Sequence, residues 1–263
     1  MIYLDSSLTG VDLDAPRFCW HNLVTEANVS ADEEDADHLI ENIAMPATSI
    51  YWKGLTAAAQ TISVDLGSAM DVDYIAFARH NFGSGGITYN IQQSTNGADW
   101  TTIDGPISPA NDYVIIHEFD TLTDRYFRIQ ITAATSEIPE IGVLYLGEIL
   151  RMELRVYVGY TPFTLAKVAT VSTGFSESGQ FLGRVKRREI YDNPISFQNL
   201  TPAFLHSLTS FFDAAEEAPF FFAWRPQSYP EEVGYCWFSG NPKSSNAGPN
   251  GDMSLSIDMR GIR

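Results

Sequence analysis

The sequence predicts a mainly β protein in two parts, and three observations lead there. Short runs of alternating apolar and polar residues recur along the 263-residue chain, separated by Gly, Pro, Asn and Asp clusters. Aromatic residues reach 13%, with 16 Phe and 12 Tyr, a composition that suits strands and rules out disorder. The charge changes sharply near Gly147–Arg151. Residues 1–150 carry 5 Lys and Arg against 22 Asp and Glu, the whole of the net charge of -17, whereas residues 151–263 carry 11 of each. A boundary between an acidic domain, 1–150, and a neutral one, 151–263, is therefore expected. The negative field of the first part repels phosphate and argues against nucleic-acid binding there.

Residues 28–41, NVSADEEDADHLIE, lack alternation and read as a solvated acidic loop or a short helical turn. TISVDLG, DYIAFAR, YNIQQS, YVIIHEF and YFRIQITA then follow as separate strands of a β-sandwich. Between YNIQQS and TTI lies STNGADW, where Asn96-Gly97 tolerates the positive φ angles of a tight turn and Trp100 is placed to cover the sandwich edge. LRVYVG, LAKVATVS and RVKRREIY open the second part as strands. A single helix over 202–217 is capped by Thr201, begins with Pro202 and is stopped by Pro219. Its apolar Phe204, Leu205, Leu208, Phe211 and Phe212 form one stripe, so it should lie along a sheet. PFFFAW, GYCWF and MSLSIDM are further strands, and SGNPKSSNAGPNGD before the last one reads as a turn-rich loop.

Catalytic and metal-binding patterns are weak. GFSESG at 174–179 lacks the second glycine of a nucleophile elbow, and HNFGSGG at 80–86 has glycines without the phosphate-loop lysine; both read as turns. The five histidines form no metal motif, and the acidic run Asp32, Glu33, Glu34, Asp35 and Asp37 lacks the spacing and glycine of a calcium loop. No catalytic residue, metal or cofactor is expected. Cys19 and Cys236 stand far apart and read as buried thiols. No apolar run is long enough for a membrane helix, and the opening MIYLDSSLTG has no secretory pattern, which points to synthesis and assembly in a cytoplasm. The basic run Arg184, Lys186, Arg187 and Arg188 is the one concentration of positive charge; strand alternation puts Arg184, Lys186 and Arg188 on one face, as a subunit interface or an ordinary wet face.

Tyr51-Trp52, Asp65-Leu66-Gly67, Ser94-x-Asn96-Gly97-x-x-Trp100 and Tyr126-Phe127-Arg128-Ile129, in that order, resemble the discoidin or coagulation-factor type C domain over about residues 20–150. The resemblance implies a galactose-binding-like jelly-roll β-sandwich, in which the STNGADW hairpin is scaffold. The paired terminal cysteines and an Asp-Gly calcium loop of that family are missing. PFFFAWRPQSYPEEVGYCWF, SSNAGPNGDMSLSIDMRG and the helix before them resemble the C-terminal region of distal tail or baseplate hub proteins of long-tailed bacteriophages. That resemblance implies a tail-tube-like β-barrel or sandwich with a flanking helix. It further implies a ring, as a hexamer, that joins the tail tube protein to the hub proteins of the tail tip, hence a virion protein assembled in the bacterial cytoplasm. The leading expectation is thus a structural virion subunit. The alternative is a binding module for host-surface glycans, with Tyr51, Trp52 and Lys53 in one loop and Asn81 and Phe82 in another as contacts. A glycosidase ranks third, since no carboxylate pair is singled out.

Overall fold

A computed structural model describes residues 1–132, 137–249 and 251–263. The protein is mainly β, with a jelly-roll sandwich in its first half. Two strands organise that sandwich, Gln60–His80 and Ile115–Ile131, and each is long because it serves both layers. Gln60–Asp65 pairs with Tyr126–Ile131, while Met70–Phe77 pairs with Ile115–Asp124, and the register breaks between Asp65 and Met70. Gly67 sits in that break at φ +76°, a conformation that costs a residue without Cβ little. The four runs expected as separate strands, TISVDLG with DYIAFAR and YVIIHEF with YFRIQITA, are therefore two continuous strands that bend at polar corners, the second ending at Ile131; Ala133, the last residue of the fourth run, lies outside the described residues. Beyond the bend, the outer strands differ. Val29–Ala31 and Tyr89–Ser94 extend one layer, with Thr101–Ile107 at its edge. Glu140–Gly147, Trp52–Lys53 and Ile2–Leu4 extend the other. The core between them includes Trp52, Ile62, Val64, Ile75, Phe77, Phe82, Tyr89, Phe127 and Leu144.

The STNGADW hairpin is held by its own side chains. Ser94 Oγ accepts from the N–H groups of Asn96 and Gly97 at 3.2 and 2.9 Å, and Asn96 Oδ1 accepts from Ala98 and Asp99. Gly97, at φ +72°, lies against the Tyr126 ring, where a Cβ would come within 3.4 Å. Trp100 is half-buried, and the Arg128 guanidinium covers its ring at 3.9 Å. It closes the edge of the sandwich as a lid under a cation.

The second half is an open seven-stranded sheet, ordered Leu150–Arg151, Arg17–Cys19, Phe220–Ala223, Val233–Phe238, Met259–Ile262, Phe181–Asp192 and Lys167–Phe175, accompanied by a three-stranded sheet. No closed barrel forms, because Leu150–Arg151 and Lys167–Phe175 are edges that do not pair with each other. Arg17–Cys19, from the acidic end of the chain, lies inside this sheet between Leu150–Arg151 and Phe220–Ala223. The expected single helix breaks at Leu208 into Pro202–Ser207 and Thr209–Glu217, with Thr201 Oγ1 capping the Phe204 N–H as its sequence position implies. Leu208, Phe211 and Ala215 press the pair onto Phe18 and Phe220. Part of the expected terminal loop, Lys243–Asn246, is an exposed strand against Met253–Ile257; Asn250 of that loop lies outside the described residues.

The two sheets meet across a third buried cluster, in which Tyr74, Ala76, Val143 and Tyr145 from the sandwich contact Cys19, Phe221, Ala223 and Tyr235. Tyr145 donates to the Pro219 carbonyl and Tyr235 to that of Pro46, both at 2.9 Å. At the centre of this junction Glu118, with 0% side-chain exposure, accepts from Arg17 Nε at 2.8 Å and from Arg151 Nε at 2.7 Å. Arg151 also reaches Asp73 at 2.9 Å, and the Ile149 N–H donates to the other Asp73 oxygen at 2.6 Å. Burial raises the Asp73 carboxyl to about 6 despite Arg151 beside it.

Removing the central charge leaves Arg17 buried without its carboxylate. Glu118→Gln should therefore lower unfolding free energy by roughly 3–5 kcal/mol. Denaturant titration monitored by tryptophan fluorescence measures it; a loss under about 1 kcal/mol would show that the network does not hold the halves together.

Candidate functional site

The corner where strands Trp52–Lys53, Gln60–His80 and Glu140–Gly147 end carries a chain of charged and aromatic groups. Trp52–Lys53 pairs with Ile141 and Glu140, and alternation sends neighbouring side chains opposite ways. Trp52 turns inward, 0% exposed, with its Nε1–H donating to the Glu33 carbonyl at 3.2 Å. Tyr51 and Lys53 turn outward. Glu140 accepts from Lys53 at 3.1 Å and from Arg79 at 2.7 Å. The Arg79 guanidinium lies 3.7 Å from the Tyr51 ring centroid, and His38 stacks on Tyr51 at 4.1 Å with an interplanar angle of 21°. Both the His38 ring and the Arg79 guanidinium therefore approach Tyr51 through its ring face rather than its edge.

Among the described residues, Arg79 is one of two non-glycine residues with positive φ, at 57°. Left-handed backbone is unfavourable for a residue with Cβ and persists where surrounding structure imposes it. Here Gly142 makes room: a Cβ on it would come within 2.9 Å of the Arg79 Cβ. The turn after Arg79 is clamped as well. Asn81 Nδ2 donates to the Ile138 carbonyl at 2.7 Å and its Oδ1 accepts from the Glu140 N–H at 2.9 Å, which fixes the start of the Glu140 strand. His80 Nδ1 accepts from the Phe82 N–H and its Nε2 lies 2.7 Å from the Tyr113 carbonyl, so the ring is a neutral Nε2–H tautomer. Gly83 lies so close to Asn111 that a Cβ would fall 2.3 Å from its backbone.

Electrostatics follow the geometry. Burial alone would raise the Glu140 carboxyl, but bonds from Arg79 and Lys53 hold it below the usual carboxylate range, and the same bond to Glu140 raises Lys53. Two cations share one carboxylate, and Asp35 adds a second negative charge near Lys53. An open depression of about 350 Å³ adjoins this corner, lined by Asp32, Gln60, Thr61, Gln130 and Thr132 among others. Its link to the corner is Gln60, whose amide packs on Gly54, the residue after Lys53. Asp32 accepts from both the N–H and the hydroxyl of Thr61, at 2.8 and 2.5 Å. Carboxylate, amides and hydroxyls around a shallow hollow suit a ligand rich in hydroxyl groups.

The expected contacts divide. Tyr51 and Lys53 belong to this corner, Tyr51 with its ring already stacked against His38 and Arg79. Trp52 and Phe82 are core residues with 0% exposure and offer no face to a ligand, because both are inward members of their strands and turns. Asn81 is spent on backbone bonds that position Glu140. His38, Arg79, Glu140, Gln60 and Gln130 were missed, since they lie far apart in sequence and no local pattern joins them. Arg184, Lys186, Arg187 and Arg188 lie on the second sheet, exposed on the ribbon of Lys167–Phe175 and Phe181–Asp192. Thr170 faces Arg188 and Val171 faces Lys186, so Arg187 is an extra residue that breaks the alternation. Lys186 consequently pairs with Glu189 instead of lining up with Arg188.

The other weak motifs resolve as turns or caps. Ser176 and Ser178 of GFSESG bond each other at the ribbon tip, and Ser176 Oγ accepts from the Gln180 N–H. Glu33 accepts from Thr56, and Glu34 from the Ile40 N–H, so these carboxylates serve local structure. Among the described residues no group of three or more His, Cys, Asp or Glu side chains could hold a metal ion. No helix among them is long and apolar enough to cross a membrane.

Residues 24–142 match the family model of the F5/8 type C domain. No curated protein matches the chain. Among solved structures, chitosan-binding module 1 of a chitosanase/glucanase from Paenibacillus sp. IK-5 is 19% identical, with a TM-score of 0.44 over 49% of this chain and 99% of that one. The CBM32 of AlyQ, in complex with 4,5-unsaturated mannuronic acid, is 24% identical, with a TM-score of 0.41 over 49% and 96%. CpGH89CBM32-5 from Clostridium perfringens, in complex with GalNAc-β-1,3-galactose, is 12% identical, with a TM-score of 0.43 over 49% and 100%.

The clamp at His80 makes stability pH-dependent. Burial lowers the His80 pKa to about 4, whereas the unfolded chain takes up the proton near 6.5. The unfolded state therefore binds more protons between these values, and the contribution is complete above pH 6.5 and lost as pH falls toward 4, on the order of 3 kcal/mol. Buried His117 acts in the same sense and Asp73 in the opposite one. The informative measurement is thus the difference between wild type and His80→Gln: the variant should show a shallower fall in melting temperature between pH 6.5 and 4.5, and parallel curves would refute the assignment.

Proposed function

We propose that the sandwich is a glycan-binding module and that it binds without a chemical step. The observation that carries this reading is the placement of Lys53, Glu140, Arg79, Tyr51 and His38 in one bonded chain beside the hollow of Asp32, Gln60 and Gln130. Sugar hydroxyls need paired donors and acceptors held at fixed angles, and a strained Arg79 locked by Gly142 and Asn81 supplies fixed donors without an ordering cost at binding. With the Tyr51 ring engaged by His38 and Arg79, recognition here proceeds by hydrogen bonds from the guanidinium, ammonium and amide edges, while Tyr51 sets the plane of Arg79. The F5/8 type C match over residues 24–142 supports the same reading.

A second reading, a virion subunit that joins a tail tube to a tail tip as a ring, is favoured by one feature: the projecting ribbon of the second half. The family match ends at residue 142 and does not extend to that half.

A glycan array followed by calorimetry tests the first reading. Wild type should bind a subset of glycans, and Arg79→Gly, which suits the positive φ while deleting the guanidinium, should weaken binding roughly tenfold to a hundredfold, as loss of a charge-assisted bond does. Lys53→Ala should act in the same direction. Absence of any bound glycan, or full affinity in both variants, would sink the proposal.

A further inference from the structure

Five strands of the sandwich layer that holds the hollow stand in register. Ser30 faces Ser63, Ser63 faces Arg128, Arg128 faces Gln92 and Gln92 faces Thr102, so one straight row of side chains crosses all five. Partners opposite one another share a face of the sheet, and the rows on either side, centred on Val64 and Phe127 and on Ile62 and Ile129, point into the core. The row of Arg128 therefore lies on the outer face. Two residues along, Thr61 faces Gln130 and Gln130 faces Asn90, with Asp32 bonded to Thr61, which makes a second outward row. The rows run side by side, about 7 Å apart at roughly 3.3 Å per residue. Neither contains an apolar side chain.

The first row is already ordered. Arg128 Nε donates to Gln92 Oε1 at 2.7 Å and Gln92 Nε2 to Thr102 Oγ1 at 3.1 Å, while the Trp100 ring lies 3.9 Å beneath the guanidinium. Among the described residues no hydrogen bond or ion pair engages the Arg128 Nη groups, so a half-buried guanidinium fixed at its base keeps its outer donors free. The second row behaves alike: Asn90 Nδ2 donates to Gln130 Oε1 at 3.1 Å, and Asp32 bonds Thr61 through one oxygen only. Burial lowers the Arg128 pKa and Asp32 opposes that shift, so one carboxylate stands near one guanidinium. The two rows thus offer no apolar centre to a protein partner and no concentrated positive charge to a phosphate. They offer donors and acceptors repeated at the spacing of strands.

We propose that this face is the binding track of an extended, neutral polysaccharide that lies across the strands, its successive sugars bonding successive side chains of the two rows. Strand spacing, roughly 4.8 Å, is close to the advance per unit of an extended chain of equatorially linked pyranoses, so chain and row stay in step. The hollow of about 350 Å³ sits on the second row and takes one of these sugars. Arg128 is the specificity-determining residue, because its two Nη groups can bridge neighbouring hydroxyls in a fixed fork. The assignment rests on the glycan reading and extends the contact from a corner that holds one sugar to a face that reads a chain.

The test is calorimetry on the full chain with cello-, xylo- and N-acetylchito-oligosaccharides of one to six units, beside the glycan array. For at least one series affinity should climb with length, by about tenfold or more overall, and level off near four to five units as the row of five strands fills. Arg128→Met keeps a stem over Trp100 but removes the donors; it should cost the hexasaccharide about tenfold and flatten the climb. Ser63→Tyr plugs an outward position and leaves the core untouched, so it should act likewise with an unchanged melting temperature. Equal affinity for one and six units, full hexasaccharide affinity in both variants, or failure to bind any of the three series would each overturn the track. In those cases an array hit that Arg79→Gly still weakens keeps the corner as a glycan site, whereas an array without hits removes both.

Discussion

Glu118 is the group on which the two halves depend. It is fully buried, so its charge is tolerable only because Arg17 and Arg151 both reach it, and Arg151 is in turn tied to Asp73. These four residues come from four strands, two in the sandwich and two in the seven-stranded sheet. A one-residue slip in any of these strands would turn its charge away and strand the others. The network therefore fixes register as well as orientation, and the apolar cluster of Tyr74, Tyr145, Phe221 and Tyr235 around it excludes water.

The same alternation that points Glu118 at the junction points His117 into the sandwich. There His117 lies 2.7 Å from Asp104 and 2.9 Å from the Tyr89 hydroxyl, with Tyr3 stacked on its ring. Adjacent residues on one strand thus satisfy two separate polar networks on opposite faces. Tyr89 and Phe77 pack against this histidine, so the sandwich core and the junction meet on a single strand. The candidate site stands at the far end of the neighbouring long strand, where Arg79 leaves regular β geometry. Order at the junction and strain at the rim are consequences of one continuous element, Gln60–His80.

The two exposed surfaces have different physical characters. The sandwich corner is polar, ordered and internally bonded through Glu140, Lys53 and Arg79. The ribbon is amphipathic and joins the seven-stranded sheet only through Tyr191 and Asp192.

Much of the architecture follows from local chemistry. Period-two alternation marks the strands, the Ser94–Trp100 hairpin closes through its own side chains, Thr201 caps the helix that follows, and the acidic and neutral halves can be counted. These depend on neighbours in the chain, so the sequence alone determines them. The fold decided what depends on distant partners. TISVDLG and DYIAFAR merge because a bent strand can pair in both layers; Arg17–Cys19 leaves its acidic surroundings because Phe221 and Leu150 offer open edges. Trp52 and Phe82 look like ligand contacts until packing turns them inward, and His38, Arg79 and Glu140 become a site only when three strand ends and a loop converge. The extra residue at Arg187 changes which side chains share a face, since register is a property of the pair of strands and neither strand carries it alone.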